Sequence, residues 1–239
     1  MSILQLSKVT KHFGGLVAVD RADLAVASGT IHGLIGPNGA GKTTLFSLIT
    51  GYYRPSGGQV FFNGHDITNQ AIHVRARAGL VRTFQGSILF PEQSVVENVI
   101  NGALARSGNA GSDYENDAHE ILNFCKFSER RNVAAKELSH GEQRVLGIAI
   151  ALAAKPKVLL LDEPFTGMTA LEKDRVGQTL MEIRSAGTTI VLVEHDMRSV
   201  MRLCNVVTVL NFGKVVAQGT PDDIRRHPDV MTAYLGSAA

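Results

Sequence analysis

Gly36-Pro37-Asn38-Gly39-Ala40-Gly41-Lys42-Thr43-Thr44 decides how the rest of this 239-residue chain is read. The first eight residues fit G-x-x-x-x-G-K-[ST], between a short apolar run at Ile31–Ile35 and a segment, Lys42–Thr50, that reads as a helix stopped by Gly51. A strand, a glycine-rich turn and a helix in that order are what phosphate binding requires. The glycines let main-chain N–H groups turn inward as an anion nest. The helix N-terminus adds free donors and a partial positive charge. In such a loop Lys42 bridges the β- and γ-phosphates of ATP and Thr43 ligates Mg²⁺, with Gly36, Pro37, Asn38, Gly39, Ala40, Gly41 and Thr44 completing the cradle.

Working outward, strand-like and helix-like stretches alternate, which predicts an α/β sheet protein. Gln59–Phe62 followed by Asn63-Gly64 predicts a hairpin in an antiparallel region near the N-terminus. Leu80–Phe84, Val158–Leu161, Thr188–Val193 and Val206–Leu210 read as further strands, and the Val158 run is apolar throughout, as a strand buried on both faces is. Between Phe84 and Val158 the texture turns helical. Ser94-x-x-Glu97, Ser112-x-x-Glu115 and Ser139-x-x-Glu142 are capping-box patterns, the last preceding an apolar helix over Gln143–Ala154. The polar, glycine-bearing stretch Ser107–Asp117 reads as a surface loop.

The run Val158–Leu161 ends in Asp162-Glu163-Pro164. Two carboxylates at the end of a buried strand are costly unless they are used. Asp162 suits Mg²⁺ coordination through water, and Glu163 suits a general base that polarises an attacking water.

Composition narrows the field. Apolar residues make up 44% of the chain, ample for a core, and 24 basic against 22 acidic residues leave a charge of +2. That balance argues against nucleic-acid binding. Cys125 and Cys204 are isolated thiols without zinc or disulfide spacing. The longest uncharged apolar run, Val145–Ala154, is far shorter than the roughly 20 residues a membrane span needs. No signal peptide is expected from the first residues.

The loop at Gly36, Leu-Ser-His-Gly-Glu-Gln-Arg at Leu138–Arg144, the Leu159–Pro164 strand end and a strand ending before His195 together resemble the ATP-binding cassette (ABC) ATPase family over nearly the whole chain. The resemblance implies a P-loop NTPase (RecA-like) core at 1–85 and 155–219, an N-terminal antiparallel β region, a helical subdomain at 86–154 and a tail at 220–239. It further implies that two subunits, identical or paralogous, pair head to tail. Ser139 and Gly141, with His140 and Glu142 beside them, would then face ATP held by the partner. Gln85 matches a glutamine that senses Mg²⁺ and the attacking water, His195 matches a switch histidine at the γ-phosphate, and Phe13 matches an aromatic that stacks on adenine. His140 and Glu142 depart from the common Leu-Ser-Gly-Gly-Gln form, and Met168-Thr169 stand where a Leu-Asp pair is usual. Thr169-x-x-Glu172 is itself a capping box that opens the next helix.

Phe13-Gly-Gly-Leu-x-Ala-Val, Gly79–Gln85, Leu89–Val99, Val193–Met197 and Ala233–Gly236 are similar to the ATP-binding subunits of branched-chain amino acid importers. That subfamily implies an integral-membrane permease docked near residues 86–98, a substrate-binding protein acting through it, and a peripheral place on the cytoplasmic face of the membrane. The alternatives are an export ATPase such as a lipopolysaccharide-type one and a soluble nucleotide switch; the presence of Glu163 weighs against the switch.

Overall fold

The computed structural model describes residues 2–83, 89–104 and 113–230. Two sheets carry the architecture. Strands β1 (Ser2–Phe13), β2 (Leu16–Ala27), β4 (Gly57–Phe62) and β5 (His65–Asp66) form an antiparallel sheet in the order β2-β1-β4-β5. The β4–β5 turn is the expected Asn63-Gly64, both with positive φ. The second sheet holds β3 (Ile31–Ile35), β6 (Leu80–Arg82), β7 (Val158–Asp162), β8 (Thr189–Val193), β9 (Val206–Asn211) and β10 (Lys214–Gly219). Its order is β10-β9-β3-β8-β7-β6, parallel except for the antiparallel β9–β10 pair at one edge.

Helix α1 (Lys42–Thr50) lies between the sheets. Its Leu45, Phe46, Leu48 and Ile49 join Leu4, Leu6 and Val60 from one sheet and Leu34, Leu160 and Val191 from the other in a single core. Because strand side chains alternate, Ile35, Leu159, Leu161, Ile190 and Leu192 point to the opposite face. There they bury against α6 (Ala170–Ser185) and α7 (Met197–Leu203). A third apolar cluster joins α3 (Val95–Leu104), α4 (Tyr114–Phe124) and α5 (His140–Ala153) through Val99, Leu122, Leu146 and Ala149. Helix α5 serves both layers, because Ile148 and Ala151 on its other side belong to the sheet core.

Three expectations need correction. The helix expected from Gln143 starts at His140, since Ser139 itself is the N-cap and Glu142 the third helical residue. Ser112 lies outside the described residues, and α4 is capped by Asp113, whose carboxylate accepts from the Asn116 N–H at 3.0 Å. Residues 114–117, expected in a loop, lie in α4. The boxes at Ser94 and Thr169 form as expected. Among the described residues no helix is long and apolar enough to cross a membrane.

Arg75, on α2 (Ile72–Arg77), fixes the far end of α1. Its buried guanidinium donates to the carbonyls of Leu48, Ile49, Thr68 and Gln70 at 2.7–3.1 Å. A helix C-terminus leaves carbonyls without partners and a partial negative charge, and a cation there answers both. Burial lowers the Arg75 pKa to about 10, which still leaves it charged at neutral pH.

Buried His32, in β3, has Nε2 at 2.8 Å from the Thr208 hydroxyl in β9. Burial pushes its pKa down to about 4 from 6.5. The unfolded chain therefore takes up the extra proton as pH falls from 6.5 to 4, and stability present above pH 6.5 is lost across that window. The loss amounts to roughly 3 kcal/mol. In urea unfolding at a series of pH values, His32→Leu is expected to show a correspondingly shallower decline between pH 6.5 and 4 than the wild-type chain.

Candidate functional site

Register brings the functional segments to one edge. Leu34 and Asp162 both pair with Val193, so β3, β7 and β8 end together. The loop after Ile35, the pair Asp162-Glu163 and the pair Glu194-His195 thus emerge side by side at the carboxyl ends of parallel strands, the usual place for a ligand in an open α/β sheet.

The Gly36–Thr44 loop forms the floor of a cavity of about 410 Å³ whose walls include Phe13, Leu16, Val17, Glu163 and Phe212. Two glycines make the loop possible. A Cβ on Gly36 would stand 2.2 Å from the Leu210 carbonyl oxygen, and one on Gly41 would stand 2.4 Å from that of Ala18. Gly41 also has φ +100°, which a side chain would strain. The backbone is thereby pressed against β9 and β2, with its open side left to the cavity. Lys42 Nζ donates to the Gly36 and Pro37 carbonyls at 2.7 and 3.0 Å. Burial lowers the Lys42 pKa, and the carboxylates of Glu163 and Asp162 oppose that shift. Main-chain amides, an ammonium and the Thr43 and Thr44 hydroxyls around one cavity suit a polyphosphate. Phe13 stands at the rim, its ring edge-on to Tyr53 at 5.2 Å and under the Lys11 ammonium at 5.1 Å.

Asp162 is buried at the end of β7, and its Oδ2 lies 2.7 Å from the Arg82 guanidinium, which projects from β6 and also sits over the Phe46 ring. Glu163 follows with φ +47°, an uncommon conformation for a non-glycine residue. Its N–H is tied to the Val193 carbonyl at 2.9 Å. That kink turns the side chain from the strand into the loop cavity. His195 Nδ1 stands 3.9 Å from Glu163 Oε1. Gln85 lies outside the described residues.

Beneath them sits Glu194, fully buried. Its carboxylate accepts the Phe165 N–H at 2.9 Å and the His195 N–H at 3.2 Å, joining the turn after Glu163 to the loop that carries His195. Burial raises its pKa against the lowering effect of those two N–H groups.

The structure does not bring Ser139–Glu142 to this cavity. Ser139, Gly141 and Glu142 line another, of about 580 Å³, with Arg130, Glu172 and Arg175. Glu142 turns back on its own chain. Its carboxylate accepts the Ser139 N–H at 2.8 Å and pairs with Arg130. Burial pushes its pKa up, but the Ser139 and Arg130 donors outweigh that and hold it below the ordinary value. His140 packs beside Gly167, and a Cβ on Gly141 would meet the Glu172 carboxylate at 2.6 Å, so the starts of α5 and α6 touch. The departures at Met168 and Thr169 keep simple roles: Met168 is buried in the sheet core and Thr169 caps α6.

A P-loop, a strand-end carboxylate pair and a helix-capping Ser-x-Gly on a separate layer define the class of ATP-binding cassettes. The sequence model of the family described as "ABC transporter" matches residues 19–166, and that of "Branched-chain amino acid ATP-binding cassette transporter" matches residues 214–239. The chain is 39% identical to the high-affinity branched-chain amino acid transport ATP-binding protein BraF of Pseudomonas aeruginosa, over 99% of this chain and 98% of that one. It is 38% identical to LivG of Escherichia coli, a protein of the same description, with the same coverage, and 33% identical to the lipopolysaccharide export ATP-binding protein LptB of Haemophilus influenzae, covering 99% and 98%. Among solved structures, an ABC transporter cassette in its ADP conformation superposes with a TM-score of 0.92 at 29% identity, covering 99% of both chains. A dimeric bacterial cassette superposes with a TM-score of 0.79 at 26% identity, covering 91% of this chain and 98% of that one. The chain belongs to the ABC transporter family, as an ATP-binding, ATP-hydrolysing cassette.

The sequence reading missed Arg82, Glu194 and Phe212. A charge inside an apolar strand and a carboxylate directly after one were the available signals for the first two. The Arg82–Asp162 pair is largely buried, so removing either side chain takes from the other its opposite charge. Arg82→Gln and Asp162→Asn are each expected to lower the unfolding free energy by about 3 kcal/mol. In a double-mutant cycle by urea denaturation the combined variant loses clearly less than the sum; additive losses would show that the two side chains do not act as a pair.

Proposed function

We propose that this chain hydrolyses ATP in a head-to-tail pair of cassettes and so drives import of branched-chain amino acids, or related small solutes, through an integral-membrane permease. The observation that carries this reading is the separation of the loop cavity from Ser139–Glu142 within one chain. A second cassette, the same or a paralogue, would bring its Ser139 and Gly141 over the ATP held at Gly36–Thr44. The pair would sit peripherally on the cytoplasmic face of the membrane, with a substrate-binding protein delivering solute to the permease from the other side.

Each group has a role in this reading. Lys42 and the loop amides hold the phosphates, and Phe13 packs on the base. Thr43, Asp162 and Gln85 would hold Mg²⁺ through oxygen donors, which suit a hard cation. The ion would neutralise charge on the phosphates. Glu163 accepts a proton from water attacking the γ-phosphorus, the bond to the ADP oxygen breaks, and ADP and phosphate leave. His195, within reach of Glu163, would contact the γ-phosphate.

Import of amino acids is favoured over lipopolysaccharide-type export by the match at residues 214–239 to the branched-chain amino acid model. Glu163→Gln is expected to bind ATP, elute as a dimer in its presence and hydrolyse it at least about a hundredfold more slowly. A variant that binds ATP yet stays monomeric would count against the head-to-tail pair. Purification of the wild-type chain from native membranes should recover a multi-span permease together with a solute-binding protein; recovery of neither would favour a soluble role.

A further inference from the structure

We infer that Phe212 is a nucleotide-contacting residue whose ring closes the nucleoside end of the cavity floored by Gly36–Thr44. The inference rests on ATP occupying that cavity, and adds to it a side chain from a hairpin that no motif marks.

The β9–β10 hairpin turns through Phe212-Gly213 between paired Asn211 and Lys214. Both turn residues have positive φ, +44° and +77°. A two-residue turn of that kind favours Asn-Gly, because an L side chain other than Asn or Asp resists the left-handed region. The same chain uses Asn63-Gly64 for the same job between β4 and β5, with φ +50° and +78°. Among the described non-glycine residues with positive φ, Phe212 is the only apolar one; the others are Lys8, Arg21, Asn63, Lys126, Lys155 and Glu163. Phe212 is also 85% exposed. Phenylalanine here thus bears a backbone cost and a hydration cost, and the hairpin by itself needs neither.

Position supplies the reason. Phe212 lines the loop cavity together with Phe13, Leu16 and Val17, which are also exposed apolar side chains. The cavity is therefore polar at the phosphate loop and apolar at the rim, matching a nucleotide with its charge at one end and its base and ribose at the other. The turn is anchored to both walls. The Gly213 N–H donates to the Ala40 carbonyl at 2.9 Å, within the phosphate loop itself, and the Gly213 carbonyl accepts from Asp20 in β2 at 2.9 Å. Lys214 reinforces this with an ion pair to Asp20. These bonds hold the ring at a fixed place relative to the phosphate site, so that it packs on whatever extends from the phosphates. Aromatic packing tolerates any base, so the ring adds affinity for nucleosides as a class rather than discrimination between them.

The test uses a substitution that should help the fold and harm the function. Phe212→Asn recreates the Asn-Gly turn, so the ligand-free protein should melt at the wild-type temperature or above it. By calorimetry, at a concentration where the protein is monomeric, ADP should bind about three- to tenfold more weakly. Inorganic tripolyphosphate, which has no nucleoside, should bind as it does to wild type. Phe212→Tyr should keep wild-type ADP affinity. Unchanged ADP affinity in Phe212→Asn would overturn the inference, as would an equal loss for tripolyphosphate or a fall in melting temperature. A defect confined to ATP-dependent dimer formation would assign the ring to the partner subunit instead and also overturn it. Wild-type protein that binds no ADP at all would remove the ATP reading itself, an outcome distinguishable from the others.

Discussion

A nest of main-chain N–H groups binds an anion only while the backbone that carries them is kept from folding onto its own carbonyls. Here the constraint comes from outside the loop. Gly36 lies against the Leu210 carbonyl, Gly41 against that of Ala18, and Ala40 accepts a hydrogen bond from Gly213. One strand from each sheet and the turn that follows β9 thus clamp one short loop. At the far end of the following helix Arg75 takes up the Leu48 and Ile49 carbonyls, so the helix cannot fray away from its site. The antiparallel sheet, which contributes Ala18 and the rim, is therefore part of the phosphate site even though it carries no phosphate-binding motif.

The second demand is to hold carboxylates in place at the end of a buried sheet. Asp162 meets it with Arg82, and Glu194 with main-chain N–H groups from two loops. Both arrangements offset the cost of burying charge. Each also ties together two segments at the carboxyl edge of the sheet. Glu194 in particular fastens the turn following Glu163 to the backbone of His195, so the two groups proposed to act on the γ-phosphate share one support.

Local signals were legible in the sequence and relational ones were not. The strand at Ile31–Ile35, the helix at Lys42–Thr50 and the turn at Asn63-Gly64 are specified by their own residues, and the structure has all three. The long strands β1 and β2 escaped because register shifts along them break their alternation. The Ser112-x-x-Glu115 pattern sets the start of α4 one residue early, because the Asp113 carboxylate caps the helix without a Glu at its third position. Arg82 and Asp162 are 80 positions apart, so their pairing is a property of sheet order alone. Phe212 belongs to no motif, and only the fold sets it beside the phosphate loop.

The placement of the two cavities on different layers has a consequence for inheritance. In a head-to-tail pair, each working site is a composite of one chain's phosphate loop and the other chain's Ser139–Gly141. Two defects therefore behave differently according to how they are distributed. A loop lesion in one chain and a lesion at Ser139–Gly141 in its neighbour fall on the same composite and spare the other. The same two lesions carried by a single chain spoil both. For two paralogous genes encoding the proposed pair, the fate of the sites would depend on whether both lesions lie in one gene or one in each.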